Sequence, residues 1–319
     1  MKVIFSSAEH AARTGDNVAN GGVRMHNQYV DLLNRHGIDA YVCTFDGKYT
    51  PWLMQHAPHV SIEQVARWKD DGEELKFVTT WLASRALFEA MDGDDFYYLD
   101  GETKWTIRFE RAFNELRPRI RKIAAISRYI ESWHMAHDDE RVVSLPCACD
   151  TRHWFNDPSA RAGGRIGYMT EGPMVPTQIK RIADAIPSYE FMCLDCLNIT
   201  DEHEEAVRNL MQTCDMFLGM SPSKDPLWGQ GFGLTGLEAM HAGAVPIMFD
   251  TLGCREYLIN GFNGYLVKEG NTNAVIDRIL FFDYNPRELE AMRNNGLSLA
   301  RSAFALNDRW HTVKEWLDL

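Results

Sequence analysis

Trp228-Gly229-Gln230-Gly231-Phe232-Gly233-Leu234-Thr235-Gly236-Leu237-Glu238-Ala239-Met240-His241-Ala242-Gly243 is the most informative stretch of this 319-residue chain. Three glycines, Gly229, Gly231 and Gly233, alternate through its first half. A loop built this way lets backbone amides approach a ligand closely. A helix is expected from about Thr235 to Ala242, with Glu238 about one turn from its start, where the helix dipole favours a carboxylate. Gly243 and Ala244 end that helix, and Val245-Pro246 opens an apolar run to Phe249 that reads as a buried strand. On residue chemistry alone two readings stand: a ligand loop backed by Glu238, or a structural loop whose glutamate stabilises its helix.

The same strand-and-helix alternation extends in both directions. Upstream, apolar runs at Val3 to Phe5, Ala40 to Cys43, Phe96 to Leu99, Ile123 to Ile126 and Val142 to Leu145 read as strands. A second set follows at Ile166 to Met169, Tyr189 to Leu194, Met216 to Met220, Val245 to Phe249 and Tyr265 to Val267. Helices are expected at Val23 to His36, Thr177 to Ala185, Glu204 to Cys214, Ala274 to Phe282 and Pro286 to Ala303. Trp310, Val313, Trp316 and Leu317 carry helical spacing at the end of the chain and predict a helix docked on a core. Continuous apolar strands alternating with helices mean parallel sheets covered on both faces, an α/β architecture. A polar segment, Asp150 to Arg165, holds Asn156-Asp157-Pro158-Ser159 and Gly163-Gly164 and is the best linker, so the chain is cut near residue 160. The expected organisation is a first doubly wound domain over 1–160, a second over 161–302, and a terminal helical segment over 303–319. Such folds bind ligands beyond the carboxyl ends of their strands, and a cleft between the two halves is the expected site.

Composition narrows the function classes. Apolar types at 45% and charged types at 24% can bury two ordinary cores and exclude dominant disorder. The net charge of −12 disfavours sequence-independent binding to phosphate backbones. The densest basic stretch, Arg108, Arg111, Arg117, Arg119, Arg121, Lys122 and Arg128, reads as a solvated face with Glu110 and Glu115 as partners, or as an anionic acceptor site. No run of about 18 apolar residues is present to span a membrane, and the opening Met1-Lys2-Val3-Ile4-Phe5 is too short for a signal peptide. Seven cysteines, an odd number without an export signal, fit a reducing compartment, so a cytoplasmic protein is expected. Cys193 with Cys196 (C-x-x-C), Cys147 with Cys149, and His134 with His137 lack further ligands, and no metal site is assigned to them.

Near the amino terminus, Asn20-Gly21-Gly22-Val23-Arg24 opens the first helix. Two glycines and free helix N–H groups there suit a phosphate or sugar oxygen, and they equally suit a plain turn. The pattern is not G-x-G-x-x-G, so a dehydrogenase is not supported.

With these pieces in place, the stretch from Trp228 to Gly243 resembles the signature of retaining family-4-type glycosyltransferases of the GT-B fold. That signature has two glutamates separated by seven residues, the second on a helix and followed by Ala-Met and a Val-Pro strand. The second glutamate corresponds to Glu238, and Gln230 stands at the first. Collinear elements also resemble the family: Gly21-Gly22-Val23-Arg24, the run Leu33 to Ala40, Ile126 to Ile130, Leu145 to Asp150 with Trp154-Phe155, Cys214 to Leu218 with Ser221-Pro222, Gly253-Cys254-Arg255-Glu256-Tyr257-Leu258, and Asn263 to Val267.

The resemblance implies two Rossmann-like domains facing a cleft, and a transferase using a sugar nucleotide as co-substrate, with no cofactor and no metal. Gln230 and Glu238 would be the catalytic pair, with Glu238 accepting hydrogen bonds from the ribose hydroxyls. Amides of Gly231, Phe232, Gly233, Leu234 and Thr235 would hold the sugar or pyrophosphate, and Gly21 and Gly22 would approach it from the first domain. The leaving phosphate would deprotonate the acceptor on the same face of the sugar. Closing the cleft would exclude water. In the family the last helix crosses back to the first domain.

Two departures stand out. Gln230 carries no charge, which fits an unusual pentose or deoxysugar donor, a neutral variant for the usual hexose, or lost activity. The family's basic pair after the first strand of the second domain is not clearly present in the loop Gly167 to Met174, leaving Arg165, Lys180 and Arg181 as the nearest cations, with Arg165 and Lys180 the donor-site candidates. Asp100, Lys104 and Trp105 are the acceptor-side candidates. The acceptor itself is expected to be a glycan, a lipid-linked or a small molecule, with no stable membrane insertion. Two rivals accompany this reading: a non-catalytic binder of sugar nucleotides or glycans on the same scaffold, and an enzyme that glycosylates modified DNA bases.

Overall fold

The computed structural model describes residues 1–6, 21–49, 51–55, 57–80, 93–101, 110–137, 139–170, 174–195, 200–220 and 231–319. The chain divides into two compact units, Met1–Cys147 with Leu306–Leu319, and Ala148–Ala305.

The first unit contains β1 (Lys2–Ser6), α1 (Gly21–Arg35), β2 (Ala40–Thr44), β3 (His59–Ser61), α2 (Ile62–Asp70), β4 (Leu75–Thr79) and β5 (Phe96–Asp100). It continues with α3 (Glu110–Leu116), β6 (Ile120–Ala125), α4 (Arg128–Ala136) and β7 (Val142–Ser144). The strands form one seven-stranded sheet in the order β3-β2-β1-β4-β5-β6-β7. Every pairing is parallel. Chain direction across the sheet reverses between β1 and β4, which makes the carboxyl ends of those two strands the switch point. There the Ser6 hydroxyl donates to the Thr79 hydroxyl at 2.9 Å, with both groups buried.

Apolar side chains line both faces of this sheet. One face packs Ile4, Phe77, Phe96, Tyr98 and Ile123 against Val65 and Phe113. On the other face, Phe5 and Tyr97 stand edge-on to Trp316 at 6.3 and 6.4 Å. Trp316 is fully buried on the last helix, α10 by chain order (Trp310–Trp316), and a tryptophan so placed contributes about 3–5 kcal/mol relative to alanine. His36 stacks on Trp310 at 3.9 Å. The terminal helix expected from the tryptophan spacing thus docks on the first unit. Serines cap two helices: Ser61 Oγ accepts from the Gln64 amide at 3.2 Å, and Ser127 Oγ from the Ile130 amide at 3.4 Å.

The second unit contains β8 (Arg165–Thr170), α5 (Met174–Ala185), β9 (Glu190–Asp195), α6 (His203–Thr213), β10 (Met216–Gly219), α7 (Leu234–Ala242), β11 (Val245–Phe249), β12 (Tyr265–Val267), α8 (Thr272–Tyr284) and α9 (Pro286–Ala303). Its five strands run parallel in the order β12-β11-β10-β8-β9, with the switch point between β8 and β10. Ile166, Met216, Leu218, Val245, Ile247 and Phe249 form its core with Val275 and Ile279 of α8.

Three sequence expectations change. The division between units falls at Cys147/Ala148, so the polar segment 150–165 lies inside the second unit, where Trp154 is buried and donates from Nε1 to Glu204 Oε1 at 3.4 Å. Strands β3 and β4 were not expected, and β4 pairs directly with β1. Cys193, expected in a buried strand, is exposed, because β9 is the sheet edge. Among the described residues no helix is long and apolar enough to cross a membrane.

Candidate functional site

The described end of the glycine loop, Gly231 to Gly233, and the helix behind it lie at the carboxyl edge of the second sheet, after β10. Gly233 caps α7 in the left-handed region (φ 75°, ψ 57°), a conformation that favours glycine. Gly231 and Phe232 are buried, while Gly233, Leu234 and Thr235 keep partial exposure. The first amides of α7 have no intrahelical acceptor and form the positive end of its dipole. Glu238, in the second turn, is 1% exposed. Every residue of α7 from Gly236 to Ala242 is buried. His241 is therefore a core residue, and burial pushes its imidazole down to about 4.

The segment after β11 contacts the described end of this loop. The Tyr257 hydroxyl donates to the Gly233 carbonyl, and the Tyr257 ring lies 5.2 Å from Phe232 and 6.3 Å from Phe304. Leu252 adopts φ 69° and ψ −60°, and the Gly253 amide donates to the Thr251 carbonyl at 2.9 Å, a strained γ-turn. Arg255 grips both oxygens of Asp250, at 2.8 and 2.5 Å. Tyr257 belongs to a stretch that resembles the family, but nothing in the sequence assigns it an action on a loop 24 residues upstream.

The two cations expected near the pyrophosphate point elsewhere. Arg165 begins β8 and pairs with Glu190 at 2.7 Å. It therefore sits at the amino edge of the sheet, about 16 Å from the strand's carboxyl end. Lys180 is exposed on α5 and pairs with Asp184 one turn on, at 2.7 Å. Both are corrected to surface ion pairs, which contribute little.

In the first unit, Gly21 and Gly22 form the first turn of α1. Asp100 ends β5 as expected, but its carboxylate turns into the core, 1% exposed, where it accepts from His134 Nε2 at 2.8 Å. The acceptor-facing role for Asp100 is thereby corrected: it holds α4 against β5. His137 is exposed and its Nδ1 meets the Trp133 carbonyl at 2.7 Å, so the H-x-x-H pair does not converge. Among the described residues no three His, Cys, Asp or Glu cluster as metal ligands.

The basic stretch is engaged locally. Arg111 pairs with Glu115 at 3.0 Å, Arg117 with Asp139 at 3.2 Å and Arg121 with Asp95 at 3.3 Å, while Lys122 pairs with Asp318 at 2.7 Å. Gln230, Lys104 and Trp105 lie outside the described residues.

No curated protein matches this sequence. Residues 197–298, which include the glycine loop, α7 and the Tyr257 segment, match the family described as Glycosyl transferases group 1. Three solved structures share the whole architecture. Anabaena Alr3699/HepE in complex with UDP-glucose is 15% identical with a TM-score of 0.73, covering 100% of this chain and 99% of that one. Sucrose-phosphate synthase from Thermosynechococcus elongatus is 12% identical with a TM-score of 0.71, covering 100% and 99%. A glycosyltransferase from Rickettsia africae is 14% identical with a TM-score of 0.71, covering 99% and 98%. The seven-stranded and five-stranded parallel sheets are those of the GT-B fold, and residues 197–298 match the Glycosyl transferases group 1 family.

Proposed function

We propose that this protein transfers a sugar from a nucleoside-diphosphate sugar to an acceptor hydroxyl, with retention of configuration and without a metal ion. The observation that carries the reading is the buried Glu238 behind a glycine-capped helix start, inside the segment that matches the family. Support for the donor class comes from the Anabaena neighbour, which was crystallised with UDP-glucose, with UDP and glucose, and with UDP.

In this reading Glu238 accepts from vicinal ribose hydroxyls, a task for an acceptor-only group with two oxygens. Amides of Gly231 to Thr235 hold the diphosphate or the sugar at the positive end of α7. As the glycosidic bond breaks, those amides stabilise charge on the leaving phosphate. A phosphate oxygen takes the acceptor proton, so attack and departure share one face of the sugar and no side-chain nucleophile is required. Gln230 contacts the donor sugar as a neutral partner, for a hexose or a pentose. In the first unit, the α1 N-terminus at Gly21 and Gly22 offers amides to an oxygen-bearing group.

A second reading, a non-catalytic binder of sugar nucleotides, is favoured by one observation: neither Arg165 nor Lys180 serves the carboxyl edge. Incubating the protein with UDP-sugars in EDTA and following donor consumption separates the two. Sugar transfer or slow donor hydrolysis in EDTA supports the enzyme, and tight UDP binding with neither supports the binder. A complete lack of binding to any nucleoside diphosphate refutes both.

A further inference from the structure

We infer that Tyr257 is a positioning residue for the donor loop: its hydroxyl fixes the Gly233–Leu234 peptide and so aims the Leu234 amide at the donor's diphosphate. The inference rests on the donor-site reading above.

A trans peptide is planar, and its C=O and N–H point in opposite directions. Donation from Tyr257 to the Gly233 carbonyl therefore sets the direction of the Leu234 N–H on the far side of the same plane. It also polarises that N–H, since hydrogen bonds at the two ends of one peptide reinforce each other. The Gly236 amide also donates to that carbonyl, at 3.3 Å, so the phenol is a second restraint on a peptide whose left-handed glycine has no side chain to hold it.

Tyr257 is built into a rigid frame. Its carbonyl accepts from Asn263 Nδ2 at 2.9 Å, and Asn263 Oδ1 accepts from the Ile259 amide at 2.8 Å. Asn263 and Tyr257 are both buried. On the loop side, Gly236 makes room for the phenol. A Cβ at position 236 would overlap the phenol oxygen and would lie 3.1 Å from Tyr257 Cε2. The strained γ-turn at Leu252 immediately precedes the short helix that leads into Tyr257. Strain of this kind persists where the surroundings impose it.

Substituting Tyr257→Phe removes the hydroxyl and keeps the ring packing. The test compares binding of UDP and of uridine, which lacks the diphosphate, by calorimetry and competition. UDP affinity should fall about three- to tenfold, the worth of one hydrogen bond, while uridine affinity stays unchanged. Backbone hydrogen exchange supplies an arm that needs no ligand: the amides of 231–236 should exchange faster in Y257F, with those of β11 unchanged. Gly236→Ala should weaken UDP binding by pushing the phenol aside, and should add a smaller loss in the Y257F background, where the hydroxyl oxygen is gone and only the ring carbon at 3.1 Å remains close.

Equal losses for UDP and uridine would reduce Tyr257 to a packing residue and overturn the inference. So would unchanged UDP binding, or unchanged exchange in the loop. Failure of the wild-type protein to bind UDP or any other nucleoside diphosphate would instead remove the donor-site reading, and this inference with it.

Discussion

Substituting Glu238→Gln, and measuring the binding of UDP and of 2′-deoxy-UDP to both proteins, isolates the contact on which the functional reading depends. Glutamine conserves the shape of a side chain that is 1% exposed, so no cavity opens. It replaces one carboxylate oxygen with an NH₂ group and removes the charge. A hydrogen bond to a charged group contributes about 1.5–3 kcal/mol, against about 0.5–1.5 for a neutral one. One charged bond becomes neutral, a loss of about 1–1.5 kcal/mol, and the other loses its acceptor, a loss of about 1.5–3, so the expected loss for UDP is about 2.5–4.5 kcal/mol. That is roughly 70- to 2,000-fold in Kd. Wild type should discriminate against 2′-deoxy-UDP by about 1.5–3 kcal/mol, because the deoxy ligand lacks one of the two donors. In E238Q the discrimination should nearly vanish, a coupling of about 1.5–3 kcal/mol between residue and hydroxyl. Isothermal titration calorimetry supplies the four affinities, and thermal melting of both free proteins verifies that the fold is kept. If E238Q loses equally toward both ligands, Glu238 does not touch the 2′-hydroxyl and the assignment is refuted.

Other outcomes follow from the same geometry. His26 and His241 are both buried, with imidazoles held down near 4 by desolvation, against 6.5 for the ordinary group. The unfolded chain therefore takes up protons first, and stability should be full above about pH 6.5 and fall toward pH 4. The loss is about 2 kcal/mol per histidine by pH 5, read from urea midpoints; a midpoint flat between pH 7 and 5 would contradict it. Arg165→Ala and Lys180→Ala should each leave UDP affinity within about 0.5 kcal/mol of wild type, since both belong to surface ion pairs; a tenfold loss in either would restore its donor role. Arg293→Ala should destabilise by about 3–5 kcal/mol in chemical denaturation, because it leaves Asp215 without the buried guanidinium 3.0 Å away.

Much of the architecture was legible because parallel strands covered on both faces are written as unbroken apolar runs. Val3-Ile4-Phe5, Val245-Pro246-Ile247 and the strands between them needed only counting. Strand β4 escaped because Lys76 interrupts Leu75-Lys76-Phe77-Val78, and charged residues crowd its amino end. The structure shows how that lysine is accommodated: its amine reaches past the strand to the carbonyls of Leu317 and Asp318, at 2.8 and 2.7 Å. Cys193 failed for the opposite reason. Its run reads as buried, and only the strand order, a property of the whole sheet, makes β9 an edge.

The site residues divide along the same line. The helix behind Gly233, with Glu238 on it, was readable because its requirements are local: a helix start, a carboxylate near it, glycine where the backbone turns left-handed. Asp100 shows the limit. Its place at the carboxyl end of β5 was correct, and active-site loops do begin there. What decides its role is the face of the sheet it occupies. Strand alternation puts Asp100 with Phe96 and Tyr98, under Phe113 and His134. In a half-solvated antiparallel strand that parity would show in the sequence, as polar residues at alternate positions. Here Tyr97 and Leu99 are as apolar as Phe96 and Tyr98, since both faces are covered. The parity signal is erased, and a carboxylate aimed at a buried histidine reads the same as one aimed at a ligand. Only the partner at 2.8 Å distinguishes them, and that partner lies 34 residues away on another element.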